Sequence, residues 1–166
     1  IVDDIKKHDG HLTCGHLGLR YIFKVLTKYG YNEVIKEFFE KEDYPSFGEQ
    51  IKHGATTLYE CWGVDNDQSY NHHFKGAFGY WLYTDVLGIK NTSVAYKTFD
   101  IKPTTIDIIK KAKGSIDTVY GKIEVDYYVG EYFKVKIPAN TTATVYVPNN
   151  DMTYTKHVLS SGTYSF

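Results

Sequence analysis

The chain has 166 residues, enough for one ordinary domain or two small ones, with 42% hydrophobic residues to build a core and 23% charged residues. A net charge of −1 without a long basic run excludes the electrostatic footprint of a nucleic-acid binder; the densest basic patch, Lys110, Lys111 and Lys113, reads as a solvated loop. No apolar run approaches the roughly 20 residues of a membrane span and no leader pattern opens the chain, so neither nucleic acid nor membrane is an expected partner.

The opening IVDDIKKHDG lacks a Met and puts Ile1, Val2 and Ile5 on one face. It reads as a helix already under way, in a piece of something longer. Leu19, Ile22, Phe23 and Leu26 follow at i, i+3, i+4, i+7, and Gly30 stops that helix. Val34, Ile35, Phe38 and Phe39 mark a short second helix, and another starts near Pro45 or Ser46 and ends at Gly54. The strongest stripe is Tyr70, Phe74, Ala77, Phe78, Trp81 and Leu82, which predicts one long helix capped by Ser69 and closed by Gly88.

Beyond about residue 92 the period changes to two. Ile123, Val125 and Tyr127 alternate with Lys122, Glu124 and Asp126; Phe133, Val135 and Ile137 alternate with Lys134 and Lys136; Ala143, Val145 and Val147 continue the pattern. Gly121, Gly130, Pro138 and Pro148 punctuate these runs as turns. The expected fold class is therefore α+β in two segregated parts, helices over 1–91 and an antiparallel β-sandwich over 92–166. The few helices would expose apolar faces unless more helices covered them.

Chemistry, if present, belongs to the helical half, which holds both tryptophans, both cysteines and six of the seven histidines. Sixteen tyrosines suit sugar binding, because sugar C–H faces pack on rings, but they suit strands equally. Cys14 and Cys61 are too few for a disulfide framework or a cysteine zinc site. His72 and His73 are adjacent and diverge, His11 and His16 lack the helical zinc spacing, and Asp65 and Asp67 open a calcium-like loop without its twelfth-position acid; no metal and no cofactor are expected. A nucleophilic Cys61 near His72 and His73 lacks any surrounding signature. In GATTLYECWG, Glu60 stands among Tyr59, Cys61 and Trp62, close in sequence to His72. An acid, an indole and a histidine make a sugar pocket. A loop glutamate is far more often a surface group than a catalytic one, and Trp62 and Trp81 are more often core residues than sugar platforms.

The runs YPSFGEQIKHGATTLYECW and SYNHHFKGAFGYWLY resemble the C-terminal part of bacterial α-L-rhamnosidases of glycoside hydrolase family 78. HLTCGHLGLRYIFKVLTKYG looks like that family's glycine-spaced helix start, and YKTFDIKP and IPANTTATVYVP resemble strands of its C-terminal sandwich. The resemblance implies the last helices of an incomplete (α/α)₆ barrel followed by a β-sandwich, with the upstream part of the same polypeptide missing. It also implies an inverting hydrolase acting on rhamnose-containing glycosides. In it Glu60 is the general base, His72 contacts the sugar, Trp62 borders the substrate, and the general acid lies upstream. Cys61 stands where many members carry arginine, and the loop from Glu60 to His72 is shorter than in many members. A non-catalytic carbohydrate-binding or structural module, or a related (α/α)₆ glycosidase for another sugar, are the alternatives. A bacterial origin follows from the family, but cytoplasmic, periplasmic and secreted locations all stay open.

Overall fold

The computed structural model describes residues 1–64 and 67–166, and the chain divides into two units, Ile1–Trp81 and Leu82–Phe166. In the first, α1 spans Val2–Lys7 and buries Ile5, while Ile1 stays exposed. The 3.6-residue spacing of Leu19, Phe23 and Leu26 is that of α2, His16–Lys28, which buries all three. Gly30 ends it at φ +78°, a left-handed conformation that costs glycine nothing. Its N–H donates to Thr27 O at 3.1 Å and that of Tyr31 to Leu26 O at 2.9 Å, the paired bonds that satisfy a helix's last carbonyls.

The third helix, α3, spans Asn32–Glu40 and buries Ile35 and Phe38. Ser46 caps α4, Phe47–Lys52, by accepting the Glu49 N–H at 3.0 Å, a contact worth about 1 kcal/mol. The core of this unit is aromatic: the Phe23 ring lies 5.8 Å from both Phe38 and Trp81, and Phe47 lies 5.3 Å from Phe78. Trp81 is core, with its indole N–H donated to Thr27 Oγ1 at 2.8 Å.

The long helix predicted from Ser69 is not one helix. A 3₁₀ segment, His73–Phe78, is followed by one α turn, Gly79–Trp81, and then by a π segment, Leu82–Val86, that opens the second unit. Tyr70, Phe74 and Leu82, expected on the buried stripe, are exposed. The cause lies in tertiary backbone bonding. Residues 69–72 run beside 58–60, where the His72 N–H finds Leu58 O at 2.7 Å, so the helix starts only at His73 and Ser69 does not cap it. Gly76 sits against Leu58, whose Cδ1 would lie 3.2 Å from an added Cβ.

The second unit carries β1 Ile89–Asn91, β2 Thr98–Ile101, β3 Lys111–Thr118, β4 Gly121–Tyr128, β5 Tyr132–Ile137, β6 Thr142–Pro148, β7 Tyr154–Leu159 and β8 Gly162–Ser165. They form two four-stranded sheets, β1-β2-β6-β7 and β3-β4-β5-β8. Every pairing is antiparallel except β2 with β6, which is parallel. One core unites the two sheets, with Ile89, Phe99, Ile101, Ala143 and Val145 from the first and Ile123, Val125, Tyr127, Phe133 and Val135 from the second. The period-two alternation is thus the inward face of β4, β5 and β6. Lys111 and Lys113 lie on β3 rather than in a loop, and Lys113 pairs with Asp126 at 3.2 Å. Among the described residues no helix is long and apolar enough to cross a membrane.

Candidate functional site

Glu60 lies in the irregular connection between α4 and the 3₁₀ segment, half-buried. Two bonds tie it to one residue: its N–H donates to Ser69 O at 2.9 Å, and its Oε2 accepts the Ser69 N–H at 3.2 Å. With the His72 to Leu58 bond, these make a backbone clip of 58–60 against 69–72. Thr57 Oγ1 reinforces it by donating to Tyr70 O, and Tyr59 meets Tyr70 edge-on at 4.7 Å. Glu60 and His72, twelve positions apart in sequence, are held by the same clip.

The turn beyond the clip is braced by amides. Gln68 Oε1 accepts the Cys61 N–H at 2.6 Å, and Gln68 Nε2 donates to Gly63 O. Gln50, 2% exposed, donates to Cys61 O at 2.8 Å and Trp62 O at 3.0 Å. Neither Gln50 nor Gln68 was singled out from the sequence. Their role depends on backbone carbonyls brought in by folding, which no local pattern displays.

The Trp62 indole N–H donates to Cys14 O at 3.2 Å, and its ring meets Phe47 at 5.1 Å and Phe38 at 5.9 Å, both edge-on. Its face carries the ammonium of Lys75 at 3.6 Å from the ring centroid. Lys75 is 1% exposed, and its Nζ has no hydrogen-bond partner among the described residues. Burial pushes it down to about 8, and the Cys61 thiol group pulls it partly back. A lysine beside a glycine in HHFKGAF looks like a surface residue, so the sequence reading missed it.

The His72 ring stands 5.3 Å from His16 and 5.4 Å from Phe74, and its buried Nε2 also has no partner among the described residues. Phe74 and His73 line an open groove with Arg20, Tyr21, Lys24 and Tyr80; Glu60 and Trp62 do not line it. Cys61 is exposed and free.

One group of metal-type ligands exists among the described residues: Asp9, His11 and Asp43, with ligand atoms within 4.8 Å of one another. Each already has a protein contact. His11 faces Pro45 O at 3.1 Å and Asp43 Oδ2 at 3.2 Å, and Asp9 pairs with Lys41 at 3.5 Å. It was not anticipated, because Asp43 is distant in sequence. Asp65 of the calcium-like loop lies outside the described residues, and Asp67 is exposed.

Two family models divide the chain: the bacterial alpha-L-rhamnosidase 6 hairpin glycosidase domain matches residues 1–86 and the bacterial alpha-L-rhamnosidase C-terminal domain matches 88–161. An alpha-L-rhamnosidase of Formosa agariphila is 28% identical over 91% of this chain, and one of Streptomyces avermitilis is 28% identical over 87%. The chain spans only 18% and 15% of those two relatives. Among solved structures, the alpha-L-rhamnosidase from Dictyoglumus thermophilum superposes with a TM-score of 0.86 at 30% identity, over 99% of this chain and 22% of that one. The Streptomyces avermitilis alpha-L-rhamnosidase complexed with L-rhamnose shares the fold, with a TM-score of 0.86 at 24% identity over 99% of this chain and 19% of that one. The α+β class expected from the change of period holds, and with it the family resemblance read from the motifs around Glu60. The chain belongs to the bacterial α-L-rhamnosidase six-hairpin glycosidase family and carries that family's C-terminal domain after its helices.

Proposed function

We propose that this chain is the C-terminal part of an inverting α-L-rhamnosidase that hydrolyses terminal α-L-rhamnosyl residues, with Glu60 as its general base. In this reading residues 1–91 supply the last helices of an (α/α)₆ barrel and residues 92–166 the C-terminal sandwich. The remainder of the polypeptide supplies the general acid. The observation that carries the proposal is the clip. Glu60 is tied through both its backbone and its carboxylate to Ser69, in the same clip that ends on His72.

The Ser69 N–H occupies one acceptor position of a carboxylate that has about four, so the group is oriented yet still able to take a proton from water. That water attacks the anomeric carbon on the face opposite the leaving group. The partner acid protonates the departing oxygen from a position about 6.5–9.5 Å away, the spacing that leaves room for water. His72 contacts the sugar through its ring, and Trp62 borders the substrate.

The test is Glu60→Gln in a chain of the relatives' length that carries this sequence, assayed on an aryl α-L-rhamnoside. We expect kcat to fall about 10²–10⁴-fold with an unchanged circular dichroism spectrum. The 166 residues alone should show no turnover. Near-parental turnover by Glu60→Gln would assign the base to another residue. Turnover by the 166 residues alone would remove the need for an acid elsewhere.

A further inference from the structure

The chemistry assigned to Glu60 and His72 makes no use of the Lys75 ammonium, although that group sits against the residue two positions beyond Glu60. Lysine is seldom fully buried unless paired, because its long stem ordinarily carries the charge out to water. Here the side chain is 1% exposed, Nζ finds no hydrogen-bond acceptor among the described residues, and it lies over the Trp62 face at 3.6 Å. A methionine would fill much the same volume with no charge to desolvate, so packing alone does not account for a lysine. A cation over an indole in a dry site is attracted to the ring far more than at a surface.

The indole it holds is otherwise fixed by edge contacts and one N–H bond. These leave the ring face as the surface by which it can be locked. We propose that Lys75 is a positioning residue: its ammonium, stacked on Trp62, locks residues 58–62 and so holds the Glu60 carboxylate in place. The catalytic consequence rests on reading Glu60 as the base; the contact and its effect on the segment do not. Strained or costly groups cluster where geometry matters most.

Titratable groups on the elements around Trp62 and Lys75 include Cys61 beside the ring, Cys14 before α2 and His16 in it, Glu49 and Lys52 in α4, and His72 and His73 at the head of Lys75's own segment. Glu33, Lys36, Glu37 and Glu40 lie on α3, whose Phe38 meets the ring. Cys61 acts on the charge of Lys75, so Cys61→Ser is the control variant. The experiment uses the 166-residue chain, whose only tryptophans are Trp62 and Trp81. Tryptophan emission is followed from pH 6 to 9.5, and amide exchange of 58–62 is measured at pH 6.5 and 9 after correction for intrinsic rates.

We expect emission to change with a midpoint near pH 8, to keep doing so in Cys61→Ser, and to lose the transition in Lys75→Met. Residues 58–62 should exchange about tenfold faster in Lys75→Met at pH 6.5, and in the parent at pH 9, while Phe23 and Leu26 in α2 keep their protection. The parent comparison between the two pH values needs no variant, so a Lys75→Met chain that fails to fold leaves the test intact. A transition that survives in Lys75→Met, one that vanishes in Cys61→Ser, or exchange of 58–62 that stays within twofold across pH overturns the proposal. In the longer, active polypeptide, the same substitution should lower kcat several-fold with little change in KM. Loss of activity in Glu60→Gln without any effect at Lys75 would sink this inference and spare the general base.

Discussion

Asp85 in the strand unit and Lys75 in the helical unit are buried to a similar degree, 4% and 1% exposed, yet their surroundings differ in kind. Asp85 accepts from Thr84 Oγ1 at 2.6 Å and from Lys90 Nζ at 3.1 Å, and its own carbonyl takes the Thr104 N–H at 2.9 Å. Lys75 has an indole face and no acceptor among the described residues. Tyr127 follows the pattern of Asp85: fully buried, it donates its hydroxyl to Val86 O at 2.9 Å, and burial holds its phenol well above the ordinary range. Among the described residues the strand unit leaves one buried side-chain atom without a partner, the Thr105 hydroxyl, while its buried charge is matched. The helical unit leaves an ammonium unmatched against Trp62, two positions from Glu60 in sequence, and has given up stability at that point, as sites of chemistry do.

Tyr127→Ala carries the greatest expected loss of stability. The ring fills the centre of the sandwich core at 0% exposure, 5.7 Å from Phe133, so its removal leaves a cavity and an unpaired Val86 carbonyl. We expect a loss of about 3–5 kcal/mol in urea unfolding followed by strand-unit amide exchange. A loss under 1 kcal/mol would mean that this core is not what stabilises the unit. Asp85→Ala should rank second. It leaves Lys90, which is 39% exposed, to turn to water, so the expected loss is about 2–3 kcal/mol rather than the upper figure for a fully buried pair. Equal stability of parent and variant would put Asp85 in the same class as Lys75.

What the sequence displayed divides along the same line. The inward faces of β4, β5 and β6 were legible because each buries alternate apolar residues, and period two is the mark of that. Of the other five, β2 was read only through the family resemblance of YKTFDIKP, and the remaining four were not legible. In β3 the run KAKGSIDT offers almost no apolar alternation and is held by its ladder to β4, a pairing that becomes visible only when both strands are placed. In the helices, Gly30 announced the end of α2 and Ser46 the start of α4, since both act within a few residues. Ser69 misled, because its backbone was taken by Glu60, nine positions away. Glu60 and His72 stood out as a candidate pocket from their neighbours and spacing, and the family motifs supplied their roles. The clip that joins them and the ammonium under Trp62 were not, since both arise from long-range contacts between unremarkable local patterns.

The smallest expected effect is the most discriminating, and it concerns the sign of Lys75→Met. The folded value of about 8 lies below the ordinary 10.5 of lysine. Below pH 8 both folded and unfolded chains hold the proton, and the folded state carries the whole cost of the buried charge. Between about 8 and 10.5 only the unfolded chain holds it, so this group makes stability rise with pH, and above 10.5 the rise stops. Methionine does not titrate. Lys75→Met should therefore raise the stability of the helical unit by about 1–2 kcal/mol at pH 7, after discounting for solvent screening and the lost ring contact, with the gain shrinking toward pH 10. The same variant is expected to loosen residues 58–62. A side chain with a merely structural role would move global and local protection in the same direction, whereas a positioning ammonium moves them in opposite ones. Urea melts at pH 7 and 9.5, set beside amide exchange of the 58–62 segment, decide between these; a variant less stable at pH 7 would show that the helical unit gains from its buried charge as the strand unit does.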